Sequence, residues 1–411
     1  VSLQRVGQGG LPFLAEVVMP RVAAGVLAGV LVVSFSAWAA EKKAPSPQEV
    51  QKLIGRLGDD DPAVRKESAA ALEALGESVL PALEEVAKKA GDADVRLRAA
   101  VAASAIRKKL YGPLRTFTGH NGWVFRVVML PGGKQAVSSG DYLRVWDLET
   151  GKELRRFAPG VGAWGLSVSR DGRHVLASHA DRSVRLYEVQ TGKELRRFVG
   201  HTGEVWAAGL SPDGKTAVTG AFDNTIHVWD ATTGKKRLSF AGMVDLPRCL
   251  AWSPDGKRVA VGHFQAGDFA TARSTVRVWD VETGKQVAAG AGHTGAITAV
   301  DWSKDGKRLV TSSFDKTLRV WDATTGRQLK CITASPEGCD GVAWTPDGKW
   351  VVSTGWGKDW AVRVHDAQTG KERVRFDGHT ASALCVCVTP DGKRALSSGI
   401  DGTLRLWRLR E

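Results

Sequence analysis

Two turn signals that recur at one spacing constrain this chain more than any other feature. A Thr-Gly pair places Gly151, Gly192, Gly234, Gly284, Gly326 and Gly370 at steps of 41, 42, 50, 42 and 44 residues. Asp-Gly turns at Asp171, Asp213, Asp255, Asp305, Asp347 and Asp391 step by 42, 42, 50, 42 and 44, and Pro131-Gly132-Gly133-Lys134 holds the equivalent place in the first unit. Self-similarity at this period means one supersecondary unit repeated and stacked against its neighbours. Seven units follow, and each offers four short β segments. In the fifth these are Ile297 to Trp302, Arg308 to Ser312, Thr317 to Trp321 and Gln328 to Thr333, separated by turns of hairpin type.

From Tyr111 to Glu411 the repeats resemble the WD-repeat family. The resemblance rests on Gly-His pairs at His120, His201, His293 and His379 and Trp-Asp pairs at Trp146, Trp229, Trp279 and Trp321. It implies an all-β seven-bladed propeller around a central channel. The chain reaches only a third strand in its seventh unit, Leu404-Arg405-Leu406-Trp407. Residues 113–117, Pro-Leu-Arg-Thr-Phe, match the fourth-strand phrases at Leu154 and Leu195, so they are expected to complete that blade and remove an exposed sheet edge.

The resemblance also implies a hydrogen-bonded group in each regular blade. Its members are His120, Ser138, Asp141 and Trp146; His201, Thr219, Asp223 and Trp229; His293, Thr311, Asp315 and Trp321; and His379, Ser397, Asp401 and Trp407. His, hydroxyl and carboxylate suggest a nucleophile. Recurrence once per blade, with an indole N–H that needs a buried acceptor, favours framework instead. Tyr187 and His365 replace Trp in even-numbered units, which lack the Gly-His and leave this network open there.

In this family the partner-facing end carries the loops before strand one and between strands two and three. By position that end presents Trp123, Phe125, Trp164, Glu204, Trp206, Phe222, Leu246, Arg248, Thr298, Phe314, Asp340, Leu384 and Ile400. Trp123, Phe125, Trp164, Trp206 and Phe222 form an aromatic sector suited to anchoring a partner, or in part to packing between blades. Trp252, Trp302 and Trp344, just before the Asp-Gly turns, belong to that packing. Gly262 to Ser274 is an insertion in the fourth unit that holds His263, Phe264, Asp268 and Phe269. It reads equally as a recognition loop or a tolerated surface loop.

Residues 47–110 differ in character, with Ala, Leu and charged residues at helical spacing. Four helices are expected: to about Leu57, from Pro62 through Leu75, from Val79 to Lys89, and from about Asp94 to Leu110. The phrase Asp61-Pro62-Ala63-Val64-Arg65 returns as Asp92-Ala93-Asp94-Val95-Arg96, and the segment resembles HEAT-type repeats over two units. So short an array packs on the propeller or on a partner.

Residues 1–39 read as an upstream extension plus an export signal: Met19-Pro20-Arg21 as basic head and initiator, Val22 to Trp38 as apolar core, and a cut after Ala39. Residues 40–46 are a linker. An apolar run of 17 residues spans about 26 Å as helix, short of the roughly 30 Å hydrocarbon core, which leaves an uncleaved anchor as the alternative.

Composition adds limits. With 43% hydrophobic and 25% charged residues the chain is globular rather than disordered, and its net charge is +13. Most of the excess lies in the repeats, where Lys recurs in each Asp-Gly-Lys and Thr-Gly-Lys turn and Arg in each Leu-Arg-Val-Trp strand, so solvated turn charge is favoured over a nucleic-acid surface. Five cysteines cannot all pair; Cys385 and Cys387 point to one strand face as small core residues, with Cys249 at the position of Cys385. No metal-ligand spacing, phosphate loop or isolated carboxylate pair is present, so no metal, cofactor or catalytic residue is expected. The expected function is an exported, non-enzymatic scaffold that binds a protein or peptide segment, or an acidic extracytoplasmic polymer. The alternative is a propeller enzyme or carbohydrate-binding module that uses the channel mouth.

Overall fold

The repeat turns explain the period in atomic terms. In the fifth blade Ser303 Oγ donates to Asp305 at 2.6 Å and accepts from Arg308 N at 2.9 Å, while Asp305 accepts from Lys307 N at 3.0 Å. At the other end of the blade Asp322 accepts from Thr325 N and Thr325 Oγ1, both at 2.8 Å. Gly326 sits there at φ +74°, and a Cβ would strike the backbone of Ala289 in the preceding blade. Only glycine meets both demands.

These details come from a computed structural model that describes residues 46–160, 164–240, 245–265 and 274–409. The expected signal segment, Asp268 and Phe269 lie outside the described residues. Pro47–Glu411 forms one compact unit.

Seven four-stranded antiparallel sheets make the propeller, as the repeats imply. The fifth blade runs Ile297–Trp302, Arg308–Ser313, Thr317–Asp322 and Gln328–Thr333. In the seventh, Ala383–Val388, Arg394–Gly399 and Leu404–Arg408 are joined by Arg115–Phe117 as outer strand, with Arg115 opposite Leu406 and Phe117 opposite Leu404. Phe117 is buried and packs edge-on against Trp146 of the first blade, at 5.8 Å between centroids. Arg115 donates to the carbonyls of Glu149 and Thr150, so this strand ties the last blade to the first.

The helices are α1 (Pro47–Gly55), α2 (Pro62–Leu75), α3 (Leu80–Lys89) and α4 (Ala93–Tyr111). Asp61 caps α2 and Asp92 caps α4. Four residues after each cap, Arg65 reaches back to the carbonyls of Asp59 and Asp60, and Arg96 to those of Ala90 and Gly91. The repeated phrase is therefore a repeated turn lock. Leu57, Leu72, Val79, Leu83, Ala99 and Ile106 fill the helical core. Tyr111 packs against that core and also against the cluster of Phe376 and Trp407, so the helical segment rests on the propeller.

One boundary differs from expectation. The second and third strands of the fourth blade extend through Arg258–Phe264 and Ser274–Asp280, so residues 262–264 are strand and the connecting loop is shorter than the sequence suggests. Gly262 allows this, because its backbone lies against Cys249 and Ile297 with no room for a side chain.

Candidate functional site

Four blades carry the same buried polar chain. In the fifth, Trp321 Nε1 donates to Thr311 Oγ1 at 2.9 Å, Thr311 meets His293 Nε2 at 2.7 Å, and His293 Nδ1 meets Asp315 at 2.7 Å. The third blade repeats it through Trp229, Thr219, His201 and Asp223 at 2.8, 2.7 and 3.0 Å. Trp146, Ser138, His120 and Asp141 give 2.8, 2.7 and 2.6 Å in the first, and Trp407, Ser397, His379 and Asp401 give 2.8, 2.7 and 2.9 Å in the seventh. The carboxylate can only accept, so Nδ1–H donates to it; Nε2 of the neutral ring then accepts the hydroxyl proton, while the hydroxyl oxygen accepts from the indole. That order requires a neutral imidazole, and burial indeed lowers the pKa of all four histidines. All four hydroxyl residues are fully buried, and each accepts from an indole and lies against an imidazole.

Even blades lack this chain and carry other polar pairs. Tyr187 Oη meets His179 Nε2 at 2.9 Å in the second. Arg277 pairs with Asp245 at 2.7 Å in the fourth. In the sixth Arg363 forms two bonds to Asp359, at 2.6 and 2.8 Å, with Ser335 donating to the same carboxylate.

Around the channel mouth the aromatic side chains touch in series. Trp123 meets Phe125 at 5.9 Å, Phe125 meets Trp164 at 4.5 Å, and Trp164 stacks on Trp206 at 4.3 Å and 4°. Trp206 stacks on Phe222 at 4.7 Å, and Phe222 abuts Phe264 edge-on at 5.7 Å. Arg248 links this arc to a second aromatic group: its guanidinium lies 5.3 Å from the Trp206 ring and 4.8 Å from Phe314, which meets Trp356 at 5.3 Å. Trp123 is 47% exposed, while Phe125, Trp164, Trp206, Phe222, Phe314 and Trp356 are half-buried. Exposed Glu204 accepts from Trp206 Nε1 at 3.1 Å and fixes that indole.

The family model described as WD domain, G-beta repeat matches residues 111–147, 192–230, 239–280, 284–322, 326–366 and 370–408, more than half of the chain. The chain belongs to the WD-repeat family. Members of this WD-repeat family generally bind proteins or peptides. A HEAT repeats model matches residues 33–104. Comparison with curated proteins gives no match. The third-strand residue Tyr187 and the missing Gly-His fall in the WD-repeat blade that the six matched segments largely skip.

Several expected site residues take other positions in this WD-repeat ring. Phe264 is not on a free loop: it ends a strand, is 2% exposed and walls off one end of the arc. Neighbouring His263 is fully buried, with Nδ1 at 3.1 Å from Val261 O. Arg248, Thr298, Asp340 and Leu384 are buried rather than presented, because the first strands converge on the channel axis and crowd their side chains. Leu246 and Ile400 are half-buried. Trp302 packs between blades with Nε1 donating to Ala251 O at 3.0 Å. All five cysteines are free thiols, and burial pushes Cys249 up to about 11.

Sequence reasoning missed Arg126, Trp356 and Trp360. Trp356 follows the second strand of its blade as Phe222 and Phe314 follow theirs, so repeat alignment could have found it. Trp360 is 40% exposed in the same loop. Arg126 stands where other blades place Ala207, Cys249, Ala299 and Cys385. Among the described residues no helix is long and apolar enough to cross a membrane, and no group of three or more His, Cys, Asp or Glu could hold a metal ion.

The buried imidazoles give stability a pH dependence. Desolvation lowers His179, His227 and His365 to about 4 and His263 to about 3. An unfolded imidazole titrates near 6.5, so below that pH the unfolded chain binds protons that the folded chain refuses. Their stabilisation is complete above pH ~6.5 and is lost as pH falls toward 4. Asp301 opposes them: burial raises it to about 6, so the folded state takes up that proton first and gains as pH falls below 6. Asp340 is raised in the same sense. The more numerous imidazoles dominate, and the melting temperature is expected to fall by roughly 5–10 °C between pH ~7 and ~4.5. Calorimetry across that range checks this; a flat profile would show that the imidazoles do not behave as neutral buried groups.

Proposed function

We propose that this WD-repeat protein is an exported, non-catalytic scaffold that binds a protein or peptide segment across the aromatic arc at the channel mouth. The observation that carries the reading is the unbroken contact series from Trp123 to Phe222, joined through Arg248 to Phe314 and Trp356. Rigid, half-exposed rings bury large area on binding at small cost in rotamer entropy, which is why such residues dominate binding energy at interfaces. The Ser and Thr hydroxyls beside histidine are committed to holding blades together, which supports a binding role over acyl transfer.

Export is supported by the sequence of residues 19–39, with its basic head, apolar core and small-x-small site. Sequencing the mature N-terminus tests it: processing after Ala39 is expected, and a start upstream of Met19 or an uncut segment would remove the proposal. Affinity capture from the cell envelope, with the full chain beside a Trp123→Ala, Trp206→Ala variant, tests the surface.

A further inference from the structure

The first blade opens on His120-Asn121-Gly122, where the third and fifth open on His-Thr-Gly at His201 and His293 and the seventh on His379-Thr380-Ala381. In all four the residue after the histidine donates its backbone N–H to the aspartate of the buried polar chain. Thr202 reaches Asp223 at 2.8 Å, Thr294 reaches Asp315 at 3.1 Å, Thr380 reaches Asp401 at 3.0 Å and Asn121 reaches Asp141 at 3.3 Å. The backbone contact is shared, and the first blade alone of the four sets a carboxamide there, directly before a glycine. Both Asn121 and Gly122 are exposed. Gly122 lies at φ +106°, and a Cβ there would meet nothing within 4 Å. Among the described residues neither the Gly122 N–H nor the Asn121 side-chain amide has a hydrogen-bond partner.

Comparable pairs elsewhere in the ring are closed. In the Asp-Gly turns of the repeats the N–H groups of Gly172, Gly214, Gly256, Gly306, Gly348 and Gly392 are spent on Ser or Thr carbonyls at 2.8 or 2.9 Å. Their aspartates also carry an ionised carboxylate, which resists attack by a nucleophile far better than an amide does. The chain has one other asparagine, Asn224, which is half-buried and held at φ +59°. β-Branched Thr225 follows it and screens the peptide nitrogen, and the Thr225 N–H is itself committed to Asp223 at 3.1 Å. Glycine leaves its nitrogen unscreened, so Asn121 combines a free amide with an open, unspent main-chain N–H.

We infer that Asn121 is a site of spontaneous covalent modification, in which the Gly122 nitrogen attacks the Asn121 carboxamide and converts it to aspartate and isoaspartate. A bond forms between Gly122 N and Asn121 Cγ, the Cγ–Nδ2 bond breaks, and ammonia leaves with the proton of the Gly122 N–H. Water then opens the resulting succinimide. Cleavage between Cγ and the ring nitrogen gives aspartate, and cleavage on the main-chain carbonyl side gives isoaspartate. The net change exchanges NH2 for OH with no oxidation or reduction. It sets a negative charge two residues from Trp123, the most exposed ring of the arc, and beside the Asp141 carboxylate that accepts from Asn121 N. In the isoaspartyl form the main chain also gains a methylene there. The modification does not depend on the proposed binding function; where that function holds, one end of the arc changes charge as the protein ages.

Peptide mapping by mass spectrometry tests this on the folded full chain, fresh and after weeks in neutral buffer, with digestion kept short and mildly acidic. The peptide that bears Asn121 is expected to gain the mass of the NH2-to-OH exchange and to separate into two products of equal mass, with isoaspartate in excess of aspartate. Conversion at Asn121 is expected to run on the order of tenfold or more faster than at Asn224, whose neighbour screens the attacking nitrogen. Asn121→Thr, which supplies the residue found after His201 and His293, is expected to remove the change and to keep the melting curve of the parent. If that variant fails to fold, the comparison of Asn121 with Asn224 in the native chain still decides. Conversion no faster than at Asn224, conversion seen only in urea-unfolded chain, or a single aspartyl product without isoaspartate overturns the assignment.

Discussion

Deletion of residues 111–118 is expected to abolish the single cooperative unfolding transition of the propeller. The deleted piece supplies the outer strand of the seventh blade, where Arg115, Thr116 and Phe117 pair with Leu406, Arg405 and Leu404. Its loss exposes the backbone of Leu404–Arg408 as a free sheet edge. It also empties the site of Phe117, which is 2% exposed against Trp146, and removal of a buried Phe side chain alone costs about 3–5 kcal/mol. The Arg115 bonds to Glu149 and Thr150 disappear as well, so the first and last blades lose their tie. Together these losses approach the whole stability of an ordinary domain, roughly 5–15 kcal/mol. Thermal or urea unfolding followed by tryptophan fluorescence measures this, because Trp146 and Trp407 report from the two blades concerned. An unchanged melting curve would mean that the ring closes without this strand.

The second large effect concerns binding. Replacing Trp123 and Trp206 together by Ala is expected to weaken partner binding by on the order of a hundredfold or more, since central aromatic anchors each contribute about 2 kcal/mol or more. Trp206 is the hub of the arc: it stacks on Trp164 and Phe222, lies beneath the Arg248 guanidinium and bonds to Glu204. Trp123 is the most exposed member. Neither belongs to the buried polar chains, so the ring should stay folded, with a melting temperature within a few degrees of the parent. Loss of binding without loss of fold is the signature of a surface rather than of framework.

The fold was legible because each repeat marks itself with residues that its turns demand. Gly326, Asp305 and Asp322 stand where positive φ or a side-chain acceptor is required, and such demands act locally in sequence. The polar chains were legible for the same reason of recurrence, and their histidines, hydroxyls and carboxylates meet in space from separated segments. Even blades were harder to read, because they lack the Gly-His: Arg363 still pairs with Asp359 four residues before it, as Arg319 does with Asp315, but Arg277 reaches Asp245 ahead of the first strand, outside any recurring phrase.

At the channel the sequence carried less. Arg248, Thr298 and Asp340 follow the same alignment as exposed Trp123's neighbours, yet ring closure brings seven first strands together and buries them. That crowding is a property of the assembled ring and no single repeat expresses it. Phe264 was misplaced for a related reason. An irregular spacing reads as a loop, whereas the strand there simply runs further and sets its ring against Phe222.

The most direct measurement is a calorimetric titration of the captured partner into the full chain and into the Trp123→Ala, Trp206→Ala variant, at matched fold as judged by melting temperature. If the aromatic arc is the binding surface, the parent binds and the variant shows affinity weakened by about a hundredfold or more. Equal affinity in a folded variant would place the partner elsewhere on the ring and contradict the proposed function.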